Sequence, residues 1–345
     1  MIKTFINLPQ KISSAISESL SLPENGRWLA NAEKLHERYM TRDKETANFI
    51  HDSLDIFAYL GLRSAATYAQ ISGALLQVQE GMPSWQPTSL LDIGSGPGTA
   101  VWAAKTVWSS IEMATCIDQD EKFLTIGKEL LEKSELPLDV TWQQQNITIG
   151  LGNTSQQYDL VIIANVLNEL DPEETSVLVY NALSRCKGIL IVIEPGTPLG
   201  YTIVQTTAKS VAGKNTLIAP YIDNSFVKSD DYWIHFPQRF IRPAFLKRIR
   251  QHMRDSELMA SDWEEAKYSF VAIGKNLPEE KIWGRCIGPI KKQKGFLEVP
   301  ILTKDKIFYV KVLKRHKEQY NFAKELKWGE TIKSSQDIIS GGGEI

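Results

Sequence analysis

The fold of this chain is decided by the stretch Leu90-Leu91-Asp92-Ile93-Gly94-Ser95-Gly96-Pro97-Gly98-Thr99. Its first four residues form a short apolar run that is typical of a buried strand, and helical spacing of apolar residues follows to about Val107. The glycines between them permit a tight turn and the close approach of a ligand. The helix N-terminus offers free N–H groups to polar or anionic parts of that ligand. The stretch therefore predicts a strand, a ligand-binding loop and a helix.

Further along the chain, short apolar runs continue to alternate with longer amphipathic segments. The predicted strands cover residues 90–93, 113–117, 140–143, 158–164 and 188–193, and a late strand covers 268–273. One helix is predicted over 121–131, and another begins with Asp171 as its N-cap and Pro172 at its first position. Alternation of this kind predicts an α/β fold with a doubly wound, mostly parallel sheet.

The spacing of the glycines separates two classes of nucleotide-binding loop. A nicotinamide-binding loop needs a third glycine at position 99 in the pattern GxGxxG, and that position is Thr99. The observed GxGxG resembles instead the loop of Rossmann-like class I methyltransferases, which holds the amino-acid part of S-adenosylmethionine. The alternative is a glycine-rich turn without a ligand. The candidate cofactor-binding residues of this segment are Asp92, Gly94, Gly96, Gly98 and Thr99.

Two further segments follow the second and third predicted strands. Asp118 lies roughly 20 residues beyond the loop, where an acidic side chain accepts hydrogen bonds from ribose hydroxyls. Asp120 is better explained as the N-cap of the next helix. Asn146 and Ile147 occupy a position that commonly faces the adenine ring in this fold, although Asn146 is equally well explained as an ordinary loop asparagine.

Candidate catalytic residues follow the fourth predicted strand. Asn165 stands at the carboxyl end of that strand, where open α/β sheets place their ligands, and Asn168 and Glu169 follow in the loop. All three are expected near the methyl group, with Asn165 also contacting the cofactor, although Asn168 could be only a turn residue. The segment lacks the prolines of motifs for exocyclic amine methylation, and no Pro-Cys pair indicates a covalent mechanism. The methylated atom is therefore not assigned.

The pattern divides the chain into several units. We expect an N-terminal helical region over 1–84, a cofactor-binding domain over 85–276 with an irregular insertion at 213–243, a small basic β appendix over 277–330 and a disordered tail over 331–345. A chain of 345 residues is longer than one comfortable hydrophobic core requires, which agrees with one large domain and additions.

Composition narrows the class of protein. The apolar fraction of 43% and net charge of −2 are ordinary for a globular protein. The three cysteines lie far apart without a CxxC pair, which argues against a metal knuckle and a disulfide scaffold. No apolar run is long enough to span a bilayer, and the N-terminal segment is a poor secretory signal. We therefore expect a cytoplasmic protein without membrane contact, and a monomer.

Basic residues cluster in two places, which suggests a local footprint for nucleic acid. The run from Arg239 to Arg254 contains no acid, and the segment from Lys281 to Lys317 carries eleven basic residues against two acidic ones. The alternative is a solvated charged face. The candidate RNA-binding residues are Arg239, Arg242, Lys247, Arg248, Arg250, Lys291, Lys292, Lys294, Lys314 and Arg315.

Several segments together resemble one family, the Rsm22-type methyltransferase-like proteins of the small ribosomal subunit. The segments are LLDIGSGPGTA (90–100), YDLVIIANVLNEL (158–170), IVIEPGTPLG (191–200), HFPQRFIRP (235–243) and ELKWGE (325–330), with a further match over 58–68. The resemblance runs from roughly 27 to 330. It implies binding of S-adenosylmethionine and a role in modifying or assembling the small subunit close to its RNA.

The chain departs from that family at an iron–sulfur site. The resemblance implies four cysteines in mitochondrial and many bacterial relatives, in motifs resembling CPHxxxC and WCHF and on a late strand, and cluster irons need such thiolates. Here the corresponding positions are Ala219, Ser225, Ile234 and Leu302. We therefore expect no iron–sulfur cluster and no metal site, with the aromatic residues of the insertion packed in its place. His235 remains, but one histidine does not make a metal site.

Two classes of function stay open at this point. One is a methyltransferase acting on ribosomal RNA, with protein as a less favoured substrate. The other is a non-catalytic ribosome-assembly factor that binds S-adenosylmethionine for stability. A small-molecule methyltransferase comes third, because the basic appendix argues against it.

Overall fold

A computed structural model describes most of the chain. The described residues are 5–21, 28, 31–35, 53–151, 155–222, 233–253, 261–275, 282–304 and 306–339. Among them, no helix combines the length and the apolar character needed to cross a bilayer.

An eight-stranded sheet forms the centre of the molecule, with the order β3-β2-β1-β4-β5-β8-β6 and with β7 paired to β8. Strands β1 to β5 are parallel, and β8 runs antiparallel to β5, β6 and β7. The strands are β1 Ser89–Ile93, β2 Met113–Asp118, β3 Asp139–Gln144, β4 Tyr158–Ala164, β5 Cys186–Pro195, β6 Thr216–Ala219, β7 Phe236–Ile241 and β8 Trp263–Gly274. This order, with an antiparallel strand between β5 and β6, is the class I methyltransferase topology and confirms the predicted fold class.

Helices cover both faces of this sheet. They are α1 Gln10–Ser19, α2 Ser53–Gly81, α3 Thr99–Val107, α4 Glu121–Ser134, α5 Pro172–Arg185, α6 Pro198–Val211 and α7 Ala244–His252. The predicted caps are confirmed, because Asp120 accepts from the Lys122 amide and Asp171 forms a capping box with Glu174. Strands β1, β4 and β5 are buried almost throughout, as expected when helices cover both faces.

The described part of the predicted N-terminal region is mostly helical, but its long helix α2 shares one core with the sheet. Gln77 donates from Nε2 to the Tyr268 hydroxyl at 2.9 Å, and Gln70 donates to the Lys267 carbonyl at 2.8 Å. A side chain at Gly73 would overlap the ring of Tyr268, so this glycine permits the close crossing of α2 over β8. The expected boundary at residue 84 therefore does not separate two cores.

The interpretation of 213–243 as an irregular insertion is wrong for its two ends. Residues 216–219 form β6 and residues 236–241 form β7, and both strands pair with β8 in the central sheet. Short strands surrounded by turn formers and aromatic residues gave no clear alternation, and their pairing with β8 is long-range. The remaining stretch from 223 to 232 lies outside the described residues.

The small β appendix is present and contains a second sheet. Its elements are β9 Gly284–Cys286, β10 Lys291–Gln293, β11 Phe296–Thr303, β12 Ile307–Leu313, α8 Lys317–Glu325 and β13 Thr331–Ile332. The sheet order is β10-β11-β9-β13, with β12 paired to β11, and a separate apolar cluster lies beneath it.

The predicted disordered tail begins too early. Strand β13 pairs with β9, and Ile338 is buried in the apolar cluster of the appendix. Sequence composition missed this because a two-residue strand acquires its stability only from its partner. Residues 340–345 lie outside the described residues.

A buried arginine joins the appendix to the main sheet. Arg285 on β9 is fully buried and donates to the Pro220 carbonyl at 3.0 Å, to Oε1 of Gln77 at 3.0 Å and to the Gly329 carbonyl at 2.6 Å. Burial lowers its pKa to about 10, although the nearby Glu80 opposes this shift. This basic residue of the appendix is therefore an internal link between the two sheets.

Candidate cofactor site and basic surfaces

The glycine loop folds back onto the end of β2. The amides of Gly94 and Ser95 both donate to the Ile117 carbonyl, at 2.8 and 3.0 Å. Gly94, Gly96 and Gly98 all have positive φ, at 69°, 52° and 82°. This is the left-handed region in which residues with a Cβ are disfavoured, so the glycine spacing follows from the backbone path of the loop.

The three glycines have different surroundings. A Cβ at Gly94 would overlap Val166, and a Cβ at Gly98 would lie 2.8 Å from the Trp142 ring. By contrast, no described atom lies within 4 Å of a Cβ built at Gly96. The outer side of the loop is thus open at Gly96, which is where a ligand can approach the backbone.

Asp118 is positioned at the open side of this loop. Its Oδ2 accepts from the Gly96 amide at 2.7 Å, and its Oδ1 accepts from the Asp120 amide at 3.0 Å. Burial raises the pKa of Asp118, and these backbone hydrogen bonds oppose the rise. The predicted ribose acceptor therefore also holds the glycine loop in its conformation.

Three candidate residues at this edge carry buried polar atoms without a hydrogen-bond partner among the described residues: Oδ2 of Asp92, Oγ1 of Thr99 and Oδ1 of Asn165. Buried polar atoms are nearly always paired in folded proteins, so each is available to a ligand or to water. Burial, followed by the charge of Asp118, raises the pKa of Asp92 to about 8. Polar atoms at this edge of the sheet can therefore still form hydrogen bonds, and ionisation of the buried Asp92 carboxyl group is unfavourable.

Asn165 adopts an unusual backbone conformation directly after β4. Its φ is 57°, its amide donates to the Ile193 carbonyl at 2.8 Å, and its Nδ2 donates to Oε1 of Gln70 at 3.2 Å. A non-glycine residue with positive φ is uncommon, and such strain concentrates at functional sites. The strand end therefore turns the Asn165 side chain toward α2.

The predicted catalytic loop is held by Glu194, which sequence reasoning missed. Leu167 donates its amide to Oε1 of Glu194 at 2.9 Å, and Asn168 donates Nδ2 to Oε2 at 2.6 Å. Glu194 is fully buried, and burial raises its pKa to about 7. The sequence did contain one indication of this role, because Glu194 directly follows the apolar run 189–193 and so stands at the carboxyl end of the predicted strand.

Glu169 lies in the same loop, in the short 3₁₀ turn Leu167–Glu169. Although part of its surface is exposed, partial burial raises its pKa to about 7, and the charges of Glu194 and Asp118 add to the rise. The structure thus brings Glu169 into the same electrostatic environment as the buried carboxylates.

The predicted adenine-facing residues lie after β3. Oδ1 of Asn146 accepts from the Thr148 amide at 3.0 Å and from its hydroxyl at 2.9 Å, so this oxygen is occupied by a local turn. That geometry favours the alternative of an ordinary loop asparagine for the oxygen. Ile147 is buried in the main core cluster and presents an apolar wall behind the turn.

Two candidate RNA-binding arginines are buried instead of exposed. Nε of Arg242 lies 3.1 Å from Oε1 of Glu264, and Nε of Arg250 lies 3.0 Å from the same oxygen. Arg250 also donates NH2 to Oε2 of Glu264 at 3.0 Å. These two arginines therefore serve the fold, which corrects their assignment to an RNA surface.

Two more basic residues of that run have their charge neutralised by acidic residues, one on β8 and one directly before it. Arg239 pairs with Glu265 at 3.3 Å, and Lys247 pairs with Asp262 at 2.8 Å. Arg248 is exposed and makes no ion pair within the described ranges. The run lacks acids in sequence, but the fold supplies them from the neighbouring strand.

The cations of the appendix behave differently. Five candidate residues are exposed and form no ion pair with an acidic residue in the described part of the chain: Lys291, Lys292, Lys294, Lys314 and Arg315. Glu298 lies opposite Lys291 on one side and Lys311 on the other. The appendix therefore carries exposed cations that no acidic residue of the described structure neutralises.

Three of the four positions that the resemblance aligns with cluster cysteines are apolar and buried. Ala219, Ile234 and Leu302 all belong to the main core cluster, while Ser225 lies outside the described residues. Tyr221 and Phe236 of the predicted insertion are buried in that cluster too. No group of three or more His, Cys, Asp or Glu residues suited to a metal ion occurs among the described residues.

Solved structures with a similar arrangement are distant in sequence. The plantazolicin methyltransferase BpumL in complex with SAH is 11% identical, with a TM-score of 0.37 over 77% of this chain and 96% of that chain. Magnesium protoporphyrin IX methyltransferase (ChlM) from Synechocystis PCC 6803 is 12% identical, with a TM-score of 0.38 over 77% of this chain and 100% of that chain. The fold assignment rests on the strand order itself.

Sequence comparison is more specific. The ribosome assembly protein METTL17, mitochondrial, from Homo sapiens is 25% identical over 289 residues, which are 79% of this chain and 61% of that protein. The chain thus spans less than two thirds of that relative's length. The family described as mitochondrial small ribosomal subunit Rsm22 matches residues 53–333, which include the glycine loop, the catalytic loop and most of the appendix. The chain belongs to the Rsm22 family.

Proposed function

We propose that this chain binds S-adenosylmethionine and acts on or with the small ribosomal subunit. The observation that carries the cofactor assignment is the open side of the loop at Gly96, together with unpartnered buried atoms of Asp92, Thr99 and Asn165. A polar cofactor would satisfy those atoms. The association with the ribosome is supported by family membership and by the similarity to a human ribosome assembly protein.

The chain's own residues have separable roles in this proposal. Asp118 would accept hydrogen bonds from the ribose hydroxyls, and the loop from Gly94 to Gly98 would contact the amino-acid part through its backbone. Ile147 would pack against the adenine ring, and Asn165 would contact the cofactor close to the reacting methyl group. When bound, S-adenosylmethionine supplies a methyl group activated by its positive sulfur.

A methyltransferase requires catalytic groups in the loop after β4, whereas a non-catalytic assembly factor does not. Methyl transfer requires a substrate nucleophile held in line with the methyl group, and orientation supplies much of the rate. Glu169, with its pKa raised to about 7, is the best-suited proton acceptor in the loop. By contrast, the Asn168 amide is engaged by Glu194, and this favours a structural role for that side chain.

We assign the RNA-facing side to the appendix and not to α7, because five exposed candidate residues of the appendix form no ion pair in the described structure: Lys291, Lys292, Lys294, Lys314 and Arg315. The three cysteines are buried and unpaired, which supports a reducing compartment, and we propose the cytoplasm and a monomeric state. The human relative is named as a mitochondrial protein, so fractionation of the source cells tests the compartment.

The deciding experiment incubates small subunits from a strain lacking this protein with the purified chain and methyl-labelled S-adenosylmethionine. Label at a single mapped position supports the enzyme. Cofactor binding and co-sedimentation with small subunits without label selects the assembly factor. A chain that neither binds the cofactor by calorimetry nor sediments with small subunits would contradict the proposal.

A matched pair of triple variants tests the RNA-facing side. Lys291→Ala, Lys292→Ala and Lys294→Ala together should flatten the salt dependence of binding to small-subunit RNA, because each lost phosphate contact removes a log–log slope of about 0.7–0.9. The control replaces Lys128, Lys209 and Lys214, which are exposed on the cofactor-binding domain. Equal slopes for both triples would exclude the appendix lysines as phosphate contacts.

A further inference from the structure

A cavity of about 260 Å³ lies where the appendix meets the central sheet. It is lined by Trp233, His235, Pro289, Lys291, Pro300, Tyr309 and Trp328. Pockets for drug-sized ligands span roughly 300–1,000 Å³, so this one suits a single flat heterocycle. It is distinct from the candidate cofactor edge, since none of the residues of the glycine or catalytic loops lines it.

One wall consists of three contacting rings, two from residues that precede β7 in the central sheet and one, Trp328, from the appendix. Trp233 and His235 are stacked, with centroids 5.2 Å apart and planes 18° apart, and Trp328 meets His235 edge-on at 5.0 Å. Burial lowers the pKa of His235, and the positive charge of Lys267 contributes to the decrease, so its imidazole is neutral at pH 7. The wall therefore offers neutral aromatic surface.

The appendix supplies the opposite wall and a charge. Tyr309 on β12 lies opposite Pro300 on β11, and Nζ of Lys291 lies 5.9 Å from the Tyr309 ring centroid. Exposure is 41% for Trp233 and 48% for Tyr309, which is high for large aromatic residues. In addition, the buried Nε1 of Trp328 has no acceptor among the described residues. The pocket thus combines accessible rings with a neighbouring lysine ammonium group.

Positive charge continues outward from this pocket along the face of the appendix. Lys291 and Lys311 lie on the strands that flank β11, in the register that puts them on the same face as Tyr309. Lys292 is also exposed but is in register with Leu297, on the other face of β10, and Lys294 is exposed in the turn that follows β10. A cationic surface beside exposed rings is complementary to single-stranded nucleic acid, whose bases stack on aromatic side chains while its phosphates meet lysines. A proline-rich peptide would use the rings but not the surrounding cations.

We propose that this aromatic pocket binds an unpaired base of RNA, with the adjoining phosphates on the appendix lysines. The inference rests on the proposed association with the small ribosomal subunit and names the part of RNA that the appendix recognises. Stacking accepts any base, so the pocket selects single-stranded over duplex RNA without strong sequence preference.

The test uses the full chain, fluorescein-labelled single-stranded oligoadenylate and oligouridylate, and an RNA duplex of the same length. Tyr309→Ala and Trp233→Ala should each weaken single-strand binding by about tenfold, the loss expected for one stacked base. Tyr309→Phe should retain binding, because it keeps the ring. The control is Tyr180→Ala, which removes a 74% exposed tyrosine from α5 of the other domain.

Salt dependence separates stacking from a general loss of charge or fold. The ring variants should bind more weakly with an unchanged log–log slope, whereas the lysine triple variant should change the slope. Single-strand binding by wild type should also quench tryptophan fluorescence, and the quenching should shrink in Trp233→Phe. Melting temperatures confirm that each variant is folded.

Three outcomes would overturn the inference: unchanged single-strand affinity in both ring variants, equal affinity of wild type for duplex and single strand, or a preference of the pocket for a proline-rich peptide. Co-sedimentation with small subunits is measured on the same preparations. If wild type sediments with subunits and the ring variants bind oligonucleotides normally, only the proposal for the aromatic pocket is refuted. Ring-dependent oligonucleotide binding without co-sedimentation refutes only the proposed function.

Discussion

Glu194 and Asn168 are joined by a hydrogen bond of 2.6 Å from the Asn168 Nδ2 to the Glu194 Oε2. The second carboxylate oxygen accepts from the Leu167 amide at 2.9 Å. A fully buried carboxylate on β5 therefore sets the conformation of the loop that follows β4. Since the strands are neighbours in the sheet, the cofactor edge is held together across the β4–β5 pair.

Removing this carboxylate should destabilise the fold and weaken cofactor binding. Glu194→Ala leaves the Leu167 amide without an acceptor, and an unsatisfied buried group costs about 1–3 kcal/mol. Glu194→Gln keeps one acceptor and should be intermediate. Urea unfolding and calorimetry with S-adenosylmethionine measure both effects. Glu173→Ala, at an exposed position of α5, is the control, and equal effects of the two alanine variants would disprove the positioning role.

A bulky residue at the open glycine should block the cofactor, and a control at a second glycine with positive φ separates this effect from backbone strain. Gly96→Arg places a side chain where no described atom lies within 4 Å, so it fills the space assigned to S-adenosylmethionine. Binding should be lost in calorimetry. Gly295→Arg is the matched control, because Gly295 also has a positive φ and open space around its Cβ position but lies in the appendix. Retained binding by Gly96→Arg, or binding of NADH by wild type, would refute the cofactor assignment.

The raised pKa of Asp92 makes stability and binding depend on pH in opposite directions. Because the folded-state pKa is about 8 and the unfolded value is near 4, this group's contribution to stability is complete below pH 4 and is lost as the pH rises to 8. Asp92→Asn should therefore melt close to wild type at pH 4. At pH 8.5 it should melt higher by at least about 2–4 °C, which corresponds to roughly 1 kcal/mol.

Cofactor affinity should show the opposite trend. Ionised Asp92 attracts the positively charged S-adenosylmethionine, so wild-type affinity should rise between pH 6 and pH 8.5. The asparagine variant should lose that rise. Calorimetry at the two pH values measures this change in affinity. A wild-type affinity that does not change with pH would show that Asp92 does not face the cofactor's charge.

Two adjacent glutamates on β8 should differ strongly in their contribution to stability. Glu264→Gln leaves the buried Arg242 and Arg250 without a counter-charge, and breaking a buried pair costs about 3–5 kcal/mol. Glu265→Gln breaks the exposed pair with Arg239, for which about 0–1 kcal/mol is typical. Denaturant unfolding of both variants measures the difference. Similar losses would contradict the structural role given to Arg242 and Arg250.

The chain should be free of an iron–sulfur cluster. Ala219, Ile234 and Leu302 provide apolar side chains where the family has thiolates, and irons need thiolate ligands. Protein purified without oxygen should be colourless and contain no stoichiometric iron by elemental analysis. Cysteine-bound iron in that preparation, seen by its absorption and lost on replacing Cys116, Cys186 and Cys286, would contradict the prediction.

Local patterns in the sequence were sufficient for the fold class and for the glycine loop. Buried parallel strands are continuous apolar runs, and the three positive φ angles of the loop require glycine, so both features are visible without knowledge of the partners. The caps at Asp120 and Asp171 follow from neighbours within three residues for the same reason. The family segments were recognisable because they coincide with these local elements.

Features that depend on residues distant in sequence became visible only in the tertiary structure. The basic run 239–254 contains no acid, yet strand pairing places Glu264 and Glu265 beside its arginines and converts part of a predicted RNA surface into buried ion pairs. Glu194 acquires its role from a loop that begins after another strand. The aromatic pocket joins residues from positions 233 to 328. Charge and hydrogen bonding act over a few ångströms, and only folding brings groups separated by tens or hundreds of residues within that distance.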